Sequence, residues 1–166
     1  MLFRSVLALE RKNGPTALVF TRQGLPQQPR TPEQLIALRK GGYVLIDSNG
    51  PPEAIVIATG SEVGVAVPAV KELQAAGKRV RLVSMPCCEM FDAQPAPYRE
   101  SVLPASVTRR VAVEAGATQS WWRYVGTQGR VLGLDHFGAS GKGPDLFKHF
   151  GITSDAVKAL VEQLLS

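Results

Sequence analysis

The chain has 166 residues, which gives room for one ordinary domain and an appendage but not for two full domains. Its 45% hydrophobic and 20% charged residues are those of a globular protein, and no apolar run approaches the roughly 20 residues needed to span a bilayer. The net charge of +5 comes from scattered groups (Arg11-Lys12, Lys78-Arg79-Arg81, Arg109-Arg110) that alternate with apolar runs, so neither a membrane nor a nucleic acid is expected as partner.

The opening Met1-Leu2-Phe3-Arg4-Ser5 lacks the basic-then-apolar order of a secretion signal, and a cytoplasmic location is the expectation. The cysteines, Cys87 and Cys88, are adjacent. Neighbouring residues do not form an ordinary structural disulfide because their Cα atoms sit too close, which fits a reducing compartment.

Leu2 to Lys12 has the pattern of the last turns of a helix, stopped by Asn13-Gly14-Pro15, and Ala17 to Phe20 reads as a short strand. Gln23 to Gly42, rich in proline and glycine, reads as a linker whose helical portion is Pro32 to Lys40. Tyr43 to Ile46 and Ala54 to Ala58 are strand-like runs. The turn between them, Asp47 to Pro52, contains Asn-Gly and two prolines and predicts an antiparallel pair.

Thr59 and Glu62 have capping-box spacing before a helical run through Leu73 that ends at Gly77, and Pro68 predicts a kink between Gly64 and Pro68. Val80–Ser84, Arg110–Glu114 and Arg130–Leu134 are further strands. Helical segments follow at 120–125, 144–150 and 154–165, and the last has its apolar side in Val157, Leu160, Val161 and Leu164. Strand, helix and strand alternating at this spacing require right-handed crossovers. The predicted fold is α/β, a three-layer α/β/α sandwich around a five-stranded, mostly parallel sheet in which Tyr43–Ile46 runs antiparallel.

Candidate chemistry is sparse. His136 reads as a hydrogen-bonded strand-end residue, His149 as a surface or packing residue, and Cys87-Cys88 as half-buried filler. Of the adjacent Trp121 and Trp122, one is expected in the core and the other at an interface. Two strand-to-helix turns have the geometry that offers free N–H groups to an anion. Thr59-Gly60-Ser61 is the first, and Gly138 to Pro144, with Ser140 and Lys142, is the second. The second departs from the Walker spacing and loses a donor at Pro144, while helix capping accounts for the first.

Three stretches resemble one family. Ser84-Met85-Pro86-Cys87-Cys88-Glu89-Met90-Phe91-Asp92-Ala93-Gln94, followed by Tyr98-Arg99-Glu100-Ser101-Val102-Leu103-Pro104, is similar to a signature of the transketolases. Ala58 to Val63 with Val113 to Gly116, and His136 to Ser140 with Phe150 to Thr153, resemble that family's adjoining strand ends and closing segment. Gly14 to Leu18 and Thr21-Arg22-Gln23 resemble the end of its pyrimidine-binding domain. Gly141-Lys142-Gly143 and Pro68 depart from the family pattern.

The resemblance implies a remnant of the pyrimidine-binding domain at 1–22, a linker at 23–42 and the transketolase carboxy-terminal domain at 43–166. It implies a homodimeric transferase that moves a two-carbon ketol unit between sugar phosphates in the pentose phosphate pathway. Thiamine diphosphate and a divalent metal, Mg or Ca, would be held mostly by the remaining domains. Arg22 matches the arginine that grips the sugar phosphate, a task suited to a planar, permanently charged fork. No Gly-Asp-Gly metal motif occurs in the chain, so the piece alone is expected to bind no cofactor and to be inactive. The alternative from another class is a free-standing nucleotide- or anion-binding regulatory module on the same fold.

Overall fold

The computed structural model describes residues 2–21 and 23–166, with side chains from Ser5 onward. In chain order its elements are α1 (Leu2–Glu10), α2 (Pro32–Ala37), β1 (Tyr43–Ile46), β2 (Ala54–Ala58), α3 (Val63–Ala75), β3 (Val80–Ser84), α4 (Cys88–Asp92), α5 (Ala96–Val102), β4 (Arg110–Val113), α6 (Trp122–Val125), β5 (Arg130–Leu132), α7 (Gly143–His149) and α8 (Ser154–Leu165). Short 3₁₀ turns precede α3 and α6 and follow α2.

The strands form one sheet in the order β1-β3-β2-β4-β5. β2 pairs in parallel with β3 on one side and β4 on the other, β4 pairs in parallel with β5, and β1 is antiparallel to β3, with Tyr43 opposite Ser84. The antiparallel direction of β1 is as expected, but its partner is not. The hairpin expected between β1 and β2 is absent, because β3 lies between them. Both edges of β2 are taken by crossover partners, and Pro51 and Pro52 could supply no N–H to a hairpin ladder. The connecting loop instead spans β3, where Arg81 pairs with Asp47 at 2.8 Å and Arg79 with Glu53 at 3.0 Å.

Alternation along the strands divides the core. Val56, Ala58, Leu82, Val111 and Val113 face α3 and α8, meeting Val70, Leu73, Val157 and Val161. Ile55, Ile57, Val83 and Ala112 face α4, α5 and α6, meeting Phe91, Val102, Trp121 and Tyr124. Each large side chain so buried stabilises the fold by about 1.5–3 kcal/mol relative to exposure. The two layers of helix on one parallel-rich sheet are the predicted α/β/α sandwich.

Three local expectations need correction. Ala17–Phe20 forms no strand and is exposed, with Val19 at 83%, because no neighbouring strand offers it a ladder. The strand predicted at Arg130–Leu134 ends at Leu132. α3 runs as one helix from Val63 to Ala75 with an exposed Pro68 inside it, where the kink is expected because the missing N–H frees the carbonyl of Gly64. Thr59 makes no side-chain cap, so the expected capping box is absent there. A capping box does occur at α2, where the Thr31 hydroxyl accepts the Gln34 N–H and the Gln34 side chain accepts the Thr31 N–H. Gln34 also donates to the carbonyls of Val44 and Leu45, at 3.0 and 2.9 Å, which lays α2 against the edge strand β1.

Candidate functional site

In an open α/β sheet, ligands collect at the carboxyl ends of the parallel strands, where the chain departs in opposite directions from adjacent strands. Here that point lies between β2, whose crossover leads to β3 on one side, and β4, on the other. Thr59-Gly60-Ser61 leaves the end of β2 and Glu114-Ala115-Gly116 the end of β4.

The gap between these ends is bridged by a carboxylate. Glu62 is only 6% exposed, its Oε1 accepts the backbone N–H of Ala115 at 3.0 Å, and its Oε2 accepts the Ser61 hydroxyl at 2.9 Å. Two groups that an incoming anion would need are therefore already taken by a resident negative charge. Ser140 and Lys142 are exposed in the loop before α7, and no hydrogen bond or ion pair joins them to Thr59, Gly60 or Ser61 among the described residues. Lys142 is the N-cap of α7 without a side-chain cap bond, and the side chain of Gln23 packs against the adjoining Gly143. Arg22 lies outside the described residues.

Beside the bridge, a cleft of ≈ 490 Å³ is lined by Ala115, Gly116, Leu134, Asp135, His136 and Phe137. Asp135 accepts both the backbone N–H and the hydroxyl of Thr118 at 2.8 Å, and these bonds hold its carboxyl below the usual range. His136 is exposed, with Nδ1 2.9 Å from the Phe137 carbonyl oxygen and its ring 5.4 Å from that of Phe150. It is engaged locally, as expected, but in the loop four residues past the end of β5 and not at a strand end. Phe137 itself is 98% exposed. Trp121 is buried, as expected of one member of the pair, and donates its indole N–H to Glu114 at 2.6 Å, whereas Trp122 is exposed.

The described residues do not assemble a reacting centre. Cys87 donates its thiol to Glu89 at 3.4 Å, but burial pushes that thiol up, and a protonated thiol is a poor nucleophile. No group of three or more His, Cys, Asp or Glu side chains at metal-binding distances occurs among them. Sequence reasoning missed the bridge of Glu62 to Ala115. The available signal was that the two strand-end motifs, 58–63 and 113–116, leave neighbouring strands.

Comparison with known proteins gives this arrangement its context. The family model described as "Transketolase-like TK C-terminal domain" matches residues 41–153. Transketolase 1 of Vibrio vulnificus is 54% identical over 160 residues, covering 96% of this chain and 24% of that protein. Among solved structures, a transketolase from Leishmania mexicana matches 80% of this chain and 19% of its own at 40% identity and a TM-score of 0.70. A Pichia stipitis transketolase in complex with sedoheptulose 7-phosphate matches 86% of this chain and 20% of its own at 38% identity and a TM-score of 0.74. The chain spans about a quarter of the length of the curated relatives it matches. Residues 41–153, with the mixed five-stranded sheet and the helices on both its faces, place the chain in the transketolase-like C-terminal domain family.

Proposed function

We propose that the chain serves as the carboxy-terminal part of a transketolase, the transferase that moves a two-carbon ketol unit between sugar phosphates in the pentose phosphate pathway. The observation that carries this reading is the match to relatives of which the chain spans only 24%. The division is that implied by the resemblance: 1–22 closes the pyrimidine-binding domain, 23–42 links, and 43–166 is the carboxy-terminal domain of a cytoplasmic homodimer. Arg22 contributes a grip on the sugar phosphate. Of the chain's other candidate anion contacts, Ser140 and Lys142 are the open ones, since the Thr59-Gly60-Ser61 turn is occupied by Glu62.

Thiamine diphosphate and a divalent metal do not fit the residues in this chain. A diphosphate at the β2/β4 gap would meet the buried carboxylate of Glu62, and the described residues gather no acidic set for a hard cation. Their place is on the remaining domains. The carboxy-terminal domain then acts as a structural support for the dimer. A free-standing nucleotide module would seat its ligand at that same gap, and Glu62 stands against it.

The test is ketol transfer from xylulose 5-phosphate to ribose 5-phosphate with thiamine diphosphate and Mg²⁺ supplied. The isolated chain is expected to show no turnover and no cofactor heat in titration. The parent polypeptide is expected to be active, with Arg22→Ala raising its KM for phosphorylated sugars. Turnover by the isolated chain that is abolished by Arg22→Ala, or an inactive parent, overturns the reading.

A further inference from the structure

On the opposite side of the molecule from α3 and α8, a second cleft of ≈ 340 Å³ opens between α4, α5 and α6, lined by Phe91, Asp92, Arg99, Leu103, Arg123 and Tyr124, with Glu100 on its wall. Its volume falls within the range of small-molecule sites. Its floor is formed by buried side chains beneath a mostly polar wall. Phe91 is 2%, Tyr124 6% and Leu103 8% exposed, and the Phe91 and Tyr124 rings lie 6.3 Å apart.

The charges on its wall are unequally committed. Asp92 pairs with Arg123 and accepts the Tyr124 hydroxyl at 3.0 Å. Glu100 accepts the Ala105 N–H at 2.9 Å and lies close enough to the partly buried Arg110 to favour its charged form. Asp92 thus has its own cation, whereas Glu100 makes no ion pair among the described residues. The Arg99 side chain is exposed and makes no ion pair or hydrogen bond among the described residues, so its guanidinium is uncommitted. Arg123 adds a planar group, since its guanidinium carbon lies over the Tyr124 ring, 5.0 Å from the centroid, and its side chain is 59% exposed.

We propose that this cleft binds a small organic anion, a phosphate or carboxylate carried on a planar ring, with the anion on Arg99 and the ring stacked on the guanidinium of Arg123. An arginine fork matches two oxygens of either anion, and a guanidinium plane already backed by an aromatic ring offers its second face to another. Neither residue belongs to the strand ends at the β2/β4 gap, so the site is separate from the gap bridged by Glu62.

The test is a titration of the ¹⁵N-labelled 166-residue chain with phenyl phosphate and, separately, inorganic phosphate, following the Arg99 and Arg123 side-chain Nε–H signals. Phenyl phosphate is expected to give a saturable shift at both, with binding about tenfold weaker in Arg99→Ala and partly restored in Arg99→Lys. Unchanged amide dispersion in each variant establishes that the fold is kept. Absence of saturation, or binding that Arg99→Ala leaves untouched, overturns the site. Equal affinity for inorganic phosphate overturns the ring as part of the ligand.

Discussion

The Glu62 carboxylate accepts the backbone N–H of Ala115 at 3.0 Å and so joins the ends of two adjacent parallel strands where such sheets ordinarily leave a ligand crevice. Removing it takes the side-chain acceptor from the N–H of the exposed Ala115 and frees the Ser61 hydroxyl. Glu62→Ala is expected to cost about 1.5–3 kcal/mol in urea unfolding, the range of a hydrogen bond to a charged group. Glu62→Gln keeps an acceptor oxygen and should cost less than half as much. Equal losses for the two variants would mean that packing, not the bond to Ala115, holds this position.

A second anchor lies at the other end of β4. Arg110 donates to the carbonyls of Val107 at 2.8 Å, Tyr124 at 2.6 Å, Leu103 at 3.2 Å and Pro104 at 2.8 Å, closing the ends of α5 and α6 against the sheet. Burial lowers its pKa, and the nearby Glu100 opposes that. Arg110→Met fills similar volume but leaves four carbonyls short of a donor, so a loss of roughly 3 kcal/mol is expected from thermal and urea unfolding. A loss below about 1 kcal/mol would mean that water replaces the guanidinium at little cost.

These two anchors mark where sequence reading succeeds and where it stops. β2 and β3 were legible because continuous β-branched runs such as Ala54–Ala58 have few other stable arrangements than a sheet covered on both faces. Pairing was not legible in the same way. The turn at Asp47–Pro52 promised a hairpin, but pairing depends on where the crossover through α3 delivers β3, which no local signal carries. The Thr59 and Glu62 spacing was equally misleading, since the carboxylate reaches across to Ala115 instead of back to Thr59. α4 and α5 escaped notice amid Pro86, Pro95, Pro97 and Pro104, although proline at the first turn of α5 is compatible with a helix. The cage around Arg110 has backbone partners only, and backbone carbonyls leave no mark in a sequence.

Alkaline pH should weaken the fold. Burial raises the Cys87 and Cys88 thiols above their ordinary value of 9.0 and the Tyr98 and Tyr124 hydroxyls above 10.0, with Cys88 adding to the effect at Tyr124. Each group is neutral when protonated. With the pKa higher in the folded state, the unfolded chain sheds its protons first, and stability falls as pH rises from the ordinary value toward the folded one. The Lys158 ammonium, raised by its bond to Glu72, acts in the same direction. The urea midpoint should therefore be lower at about pH 10 than at about pH 8, and Tyr98→Phe should flatten the slope. An unchanged midpoint would mean that these groups titrate alike in both states.

The last expectation concerns Gly41, where backbone and packing demand the same residue. It ends the 3₁₀ turn after α2 with φ at +83°, a conformation that costs an L side chain about 1 kcal/mol or more. A Cβ placed there would lie 2.3 Å from the Cys87 carbonyl oxygen and 2.5 Å from the Phe91 nitrogen, and both are backbone atoms that cannot swing aside. The Gly41 carbonyl also accepts the Cys87 N–H at 3.0 Å, and the next residue, Gly42, accepts the Tyr98 hydroxyl at 2.7 Å. The two glycines thus tie the start of β1 to α4 and α5. Gly41→Ala should push α4 away, break the Cys87 bond and loosen Phe91 in the core, for a total of roughly 3–5 kcal/mol once strain and lost packing are combined. Gly77, also at positive φ (+80°) but with nothing within 4 Å of where a Cβ would stand, provides the control, since Gly77→Ala should cost only the backbone term of about 1 kcal/mol. Parallel urea curves test the difference, and equal losses at the two positions would show that close approach to Cys87 and Phe91 adds nothing at Gly41.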